Sequence, residues 1–215
     1  NHGVTRHAVS PRPVAATADA VELCAAGGAA INQVCIANDL GLKVFDLALD
    51  VPTGDITEEA ALDERGCAAT MAFGMEAVAG GADLICLGDL GVGNSGDSLS
   101  DPLEALRRVG GREFAAIAGA ILAARMQKIP VLLDGYAATA TAAVLQAVSP
   151  AALDHCLLAS LSPEPGQAKV AARLGLRPLL DLGVGHGEGV GAALVAGLVK
   201  AAALTSSGMA AAVKT

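Results

Sequence analysis

Short, dense runs of branched apolar residues alternate along this chain with longer segments whose apolar positions recur at helical spacing. The short runs are 43–49, 82–88, 129–134, 154–160 and 177–182. Each is bounded by Gly, Asp or Ser, and each has the length and near-continuous apolar character of a buried strand. Helix-length segments lie around and between them at 17–39, 58–78, 112–127, 139–148, 164–174 and 188–204. Strands of this kind separated by helices imply a mainly parallel sheet covered on both faces, a three-layer α/β/α fold. Pro11-Arg-Pro13 and the stretch 94–102 are the least regular parts. Neither is long enough for a domain linker, and no repeat of fixed period is present, so residues 1–215 read as one α/β domain.

In a parallel sheet the carboxyl-terminal strand ends converge on one edge, where α/β proteins bind ligands. The loop after the last strand, Asp181-Leu-Gly-Val-Gly-His-Gly-Glu-Gly-Val-Gly191, carries one carboxylate, Glu188, among five alternating glycines. Glycine lets the backbone take positive φ and lets a ligand approach it closely. Glu188 is therefore a candidate catalytic group; it is equally a carboxylate favouring the N-terminus of the next helix.

Other strand-end loops add candidates. Gly91-Val-Gly-Asn-Ser-Gly96 formally matches a dinucleotide-binding pattern, but Asp97-Ser-Leu-Ser-Asp-Pro102 follows where that fingerprint needs a helix. What remains is a Gly-rich turn whose backbone N–H groups can cradle a phosphate. Asp134 at a strand terminus could hold a ribose hydroxyl or cap the next helix. Ser162 could donate to a phosphate or cap the helix near Glu164, with Pro163 suited to a first helical position.

Composition narrows the function classes. With 53% hydrophobic and 17% charged residues the chain is globular rather than disordered. A net charge of −8 without a basic cluster argues against nucleic acid, whose phosphates need Lys and Arg. Asp, Arg, Lys or Pro is expected to break every apolar run before it reaches membrane-spanning length. The opening residues lack the apolar core of a signal peptide, which points to the cytoplasm. Cys24, Cys35, Cys67, Cys86 and Cys156, with His2, His7, His155 and His186, show no CxxC or metal-ligand spacing, so no zinc, disulfide or other cofactor is expected. A small-molecule partner fits best.

Taken in order, these segments resemble the nicotinate-nucleotide–dimethylbenzimidazole phosphoribosyltransferase family. The resemblance rests on Asn1-His-Gly-Val4, Ala25-Ala-Gly-Gly-Ala-Ala-Ile-Asn32, Gly88-Asp-Leu-Gly-Val-Gly-Asn94, Gly110 to Leu122, Pro130-Val-Leu-Leu-Asp-Gly135, Ser162-Pro-Glu-Pro-Gly166 and Gly187 to Leu194. It implies a Rossmann-like sheet and a homodimer. It also implies transfer of ribose 5-phosphate from nicotinate mononucleotide to a benzimidazole nitrogen with inversion, a step in making the lower ligand of cobalamin. Glu188 matches the family's catalytic glutamate, which takes the proton of the attacking base; a partly desolvated pocket would raise its pKa toward a useful value. Gly91, Val92, Gly93, Asn94 and Ser95 match the phosphate loop, and Asp134, Gly135 and Ser162 match ribose and phosphate contacts. Asp89 takes the place of a family Glu near the reacting centre, Leu90 that of an apolar residue against the base, and Ser10 that of a serine in the base-binding loop.

The departures define alternatives. The family's internal segment between Asn94 and Pro102, which brings a further phosphate lysine, is nearly absent, as is its small helical portion preceding Asn1. Arg12 and Val14 stand where the family usually has an aromatic residue and a Gln, and His186 replaces an apolar residue beside Glu188, which favours a more polar acceptor base. An active transferase, a catalytically weak nucleotide- or base-binding member or hetero-oligomer subunit, and an unrelated dinucleotide-binding oxidoreductase are the three readings.

Overall fold

The computed structural model describes residues 1–91, 101–183 and 187–212. Four strands, β1 (Ile85–Leu87), β2 (Val131–Asp134), β3 (Cys156–Ser160) and β4 (Pro178–Leu180), form a parallel sheet in sequence order. Strand side chains alternate between faces. Val131 and Leu133 join one core with Ile117 and Ile121, whereas Leu132 and Ala159 join another with Ala192, Val195 and Ala196. The three residues Val131, Leu132 and Leu133 are fully buried. Each such side chain stabilises the fold by about 1.5–3 kcal/mol relative to exposure.

The first core is roofed by α3 (Glu64–Ala77), α4 (Pro102–Val109), α5 (Arg112–Gln127), α6 (Gly135–Val148) and α7 (Pro165–Leu174). The second is covered by α8 (Val190–Ala212), on which α1 (Ala16–Ala25) and α2 (Ala30–Asn38) pack through Cys24, Ile31 and Cys35. Two helical layers thus enclose the sheet, as the alternating pattern predicts. Within the larger layer α3 and α5 cross at reciprocal glycines: a Cβ on Gly74 would lie 1.9 Å from the Ala116 carbonyl oxygen, and one on Gly119 1.9 Å from that of Met71.

Several boundaries differ from the sequence expectation. Residues 43–49 form no strand; they are irregular and end in a turn, with Val44 38% and Phe45 45% exposed. Apolar content does not suffice for a strand when no sheet edge among the described residues pairs with it, and Phe45 instead meets Phe73 edge-on at 5.6 Å. The segment 17–39 breaks into α1 and α2 at Gly27, where φ is +77°. The segment 58–78 becomes helical only at Glu64, because the Asp63 side chain accepts from the Gly66 N–H and caps α3 there. Helix α4 lies outside the expected helical segments; Asp101 caps it and Pro102 opens it. Pro165 rather than Pro163 opens α7.

The membrane expectation is too strict. Ala16–Asn38 and Val190–Met209 are long and apolar enough to cross a membrane by length and composition. The first is two helices joined by a turn, and the second lays Ala192, Val195 and Ala196 on the sheet. A lone Lys200 is too little to offset so many Ala, Val and Leu residues.

The amino-terminal 3₁₀ turn Gly3–His7 is tied to the following loop by Asp55. Its carboxylate accepts from the Thr57 N–H at 2.9 Å and hydroxyl at 2.7 Å, and pairs with Arg6 and with His7. The Thr57 amide, then the hydroxyl, His7 and Arg6, hold the Asp55 carboxyl at about 2, well below its ordinary value.

Candidate active site

Glu188 sits on the turn between β4 and α8, and that turn is pressed against the ends of the neighbouring strands. The Asp89 N–H, just beyond β1, donates to the Gly187 carbonyl at 2.7 Å. Gly88 has no room for a side chain, since a Cβ there would meet the Gly189 nitrogen at 2.3 Å. Gly135, at φ +79° just beyond β2, faces Gly187 so closely that a Cβ would lie 2.3 Å from the Gly187 Cα. Glycine is required at these contacts because backbone meets backbone.

The Glu188 side chain is 31% exposed and lies in the wall of a cavity of about 620 Å³. Asp89, Leu90, Gly91 and His2 share that wall. A volume of this order accommodates a small organic ligand. Leu90 packs with Ile31 and Cys35, giving the wall an apolar floor. Burial, and next the charge of Glu188, push the Cys24 thiol above its ordinary value, so that thiol stays protonated at neutral pH. The Asp89 carboxylate accepts from the Gly91 N–H at 2.9 Å and shapes the start of the glycine loop.

His2 and Glu113 form a pair at 2.9 Å in the same wall. A Cβ on Gly111 would strike the His2 ring at 2.3 Å, so the glycines before α5 admit that ring. Two segments far apart in sequence, residues 1–4 and the start of α5, thus meet at the cavity.

Ser10 is not in the cavity wall; its hydroxyl accepts from the Arg12 N–H at 3.1 Å and braces the turn that carries Arg12. The Arg12 guanidinium stands 3.9 Å from the Glu188 carboxylate, with half of its side chain exposed. Such a pair contributes about 0–1 kcal/mol. Its use is directional: it brings a cation beside Glu188.

Asp134 and Ser162 also lie outside the cavity wall. Asp134 is 2% exposed, and its carboxylate accepts from the Ser160 hydroxyl at 2.9 Å and the Gly191 N–H at 3.1 Å. It does not cap α6: that helix receives no side-chain cap from it, and the amide it meets belongs to α8. Burial pushes the Asp134 carboxyl above its ordinary value, against the opposing pull of Ser160 and of the amides of Gly191, Ala192 and Gly189.

Ser162 is held by Gln167, whose side-chain oxygen accepts from the Ser162 N–H at 2.6 Å and hydroxyl at 2.7 Å. The Gln167 amide donates onward to Thr139 and to the Ser160 carbonyl, and Thr139 donates to the Gly135 carbonyl. Ser160, Gln167 and Thr139 do not stand out in the sequence. The one signal there is Gln167 in the first turn of α7, where a polar side chain can reach back to the preceding loop. Val92, Gly93, Asn94, Ser95 and His186 lie outside the described residues. Among the described residues no group of three or more His, Cys, Asp or Glu side chains is placed to hold a metal ion.

A phosphoribosyltransferase family model matches residues 1–99 and 95–214. Nicotinate-nucleotide–dimethylbenzimidazole phosphoribosyltransferase of Sinorhizobium medicae (strain WSM419) is 57% identical over 98% of this chain and 75% of its own length. The Sinorhizobium fredii (strain NBRC 101917 / NGR234) protein of that name is 56% identical over the same shares. Among solved structures, CobT from Thermus thermophilus superposes with a TM-score of 0.83 at 30% identity, covering 94% of this chain and 80% of that one. The Sinorhizobium alignments extend over 254 positions although this chain has 215 residues, so those relatives carry residues that it lacks. The family match divides at 95–99, within the shortened stretch noted in the sequence.

Proposed function

The chain belongs to the nicotinate-nucleotide–dimethylbenzimidazole phosphoribosyltransferase family, and from that premise we propose that it transfers ribose 5-phosphate from nicotinate mononucleotide to 5,6-dimethylbenzimidazole or a related base. A ring nitrogen of the base attacks the anomeric carbon from the face opposite nicotinate. The glycosidic C–N bond breaks with its electrons returning to the pyridine ring, which leaves as nicotinate. The proton of the attacking base passes to the Glu188 carboxylate. The product is the α-ribosyl phosphate of the base.

The observation that carries this reading is Glu188 in the wall of a cavity whose floor is apolar at Leu90. An aromatic base suits that floor, and a carboxylate at its edge can take the proton that attack releases. The phosphate falls to the glycine loop Gly91-Val-Gly-Asn-Ser95, with Gly135 and Ser162 beside the nucleotide. Ser10, through the turn of Arg12, serves the acceptor, a role the sequence also assigns to His186, and the Arg12 cation near Glu188 favours a base more polar than dimethylbenzimidazole. The enzyme is proposed to work in the cytoplasm as a homodimer, which sedimentation of the purified chain tests by mass; a monomer at working concentration contradicts it.

Substitution Glu188→Gln tests the central role. It keeps shape and removes the proton acceptor, so turnover falls by about 10²- to 10⁴-fold while nicotinate mononucleotide still binds. Unchanged turnover contradicts the assignment. The residues missing from the phosphate side favour one second reading, a member that binds nucleotide but turns it over weakly or with a partner subunit. Nucleotide binding without nicotinate release in the unaltered chain selects it.

A further inference from the structure

We propose that Asp134 is a positioning residue for the transfer reaction, holding the turn 187–191 so that Glu188 faces the cavity, with Ser160 fixing the Asp134 carboxylate. The proposal rests on the reading of Glu188 as proton acceptor.

Three features support it. First, Asp134 and Ser160 are 2% and 1% exposed, so both side chains face protein groups rather than an open surface. Second, the contacts of Asp134 run to the turn itself: Oδ2 accepts from the Gly191 N–H and Oδ1 from Ser160, and the amides of Gly189 and Ala192 also act on the carboxylate. Third, the packing is reciprocal. A Cβ on Gly191 would lie 2.1 Å from the Ser160 hydroxyl and 2.7 Å from Asp134 Oδ1.

The register of the sheet brings this about. The β2–β3 pairing shifts between Leu133 and Asp134, so that Asp134 stands opposite Ser160. The N-terminal amides of α8, which in other α/β proteins receive a phosphate, are here occupied by a carboxylate of the protein. The anion site of the substrate must therefore lie elsewhere, and α8 is left to aim Glu188.

The test compares Asp134→Asn and the milder Ser160→Ala with the unaltered chain. Three quantities are measured: nicotinate mononucleotide affinity by calorimetry, kcat for nicotinate release, and hydrogen exchange of the amides of residues 189–192. Misplacing a reacting group by about 1 Å can cost about a hundredfold in rate. The expected result is a kcat lowered about tenfold to a hundredfold, nucleotide affinity within about threefold, and faster exchange at Gly191. Affinity lost in step with kcat would make Asp134 a substrate ligand and overturn the proposal, as would an unchanged kcat in both variants. If Asp134→Asn fails to fold, Ser160→Ala decides by the same criteria. Should the unaltered chain release no nicotinate, the parent reading falls and takes the positioning role with it. That outcome is told apart from failure of the clamp because the exchange comparison needs no turnover.

Discussion

Glu188 owes its place to glycines more than to any partner of its own side chain. At Gly135 both constraints act together, a positive φ and a backbone neighbour where a Cβ would lie 2.3 Å from Gly187. Gly135→Ala must adopt a left-handed conformation, which costs about 1–2 kcal/mol, and must also push the Glu188 turn away. Turnover is expected to fall at least tenfold with a loss of thermal stability; a variant as stable and active as the unaltered chain contradicts the close packing described for these two loops. Glu188 stands out in the sequence as a lone carboxylate among alternating glycines, whereas Gly135 is reached there only through the family resemblance. The role of Asp134 is not legible there. Its neighbour Ser160 and its target Gly191 are 26 and 57 residues away, and only the register of β2 on β3 brings them together.

At the scale of elements, the short described strands carry little surface of their own, and the layers hold through small-residue helix contacts. The α3–α5 crossing depends on Gly74 and Gly119, where backbone carbonyls occupy the place of a side chain. Gly119→Ala should gain slightly in helix propensity yet destabilise the protein by about 1–3 kcal/mol, because the helices must separate to admit the methyl. Chemical denaturation checks this; an unchanged midpoint means the crossing is looser than described. The alternation of apolar runs and helical segments locates four of the five expected strands, since those runs lie between two helical layers. It fails at 43–49 because pairing is a property of the sheet and not of the run. It misses α4 because the cap Asp101 and the opening Pro102 fall in a stretch without regular apolar spacing.

For the whole molecule, the cavity joins residues from both ends of the chain: His2 from the first turn, Asp89 and Leu90 beyond β1, and Glu188 before the last helix. That convergence explains why the resemblance is carried by segments in order, though no single segment specifies the chemistry. The family follows from the match along the chain, which divides at 95–99, the stretch proposed to serve the phosphate. Loss of one charge-assisted hydrogen bond to phosphate corresponds to about 1.5–3 kcal/mol, or roughly tenfold to a hundredfold in affinity. Weakened nucleotide binding is therefore expected even in an active enzyme.

The most direct measurement is release of nicotinate from nicotinate mononucleotide by the purified chain in the presence of dimethylbenzimidazole, with the nucleotide raised well above its ordinary working concentration. The account predicts nicotinate in equal amount to a new α-ribosyl phosphate, both abolished or nearly so in Glu188→Gln. Nucleotide binding with no nicotinate released, or release that survives Glu188→Gln, would contradict it.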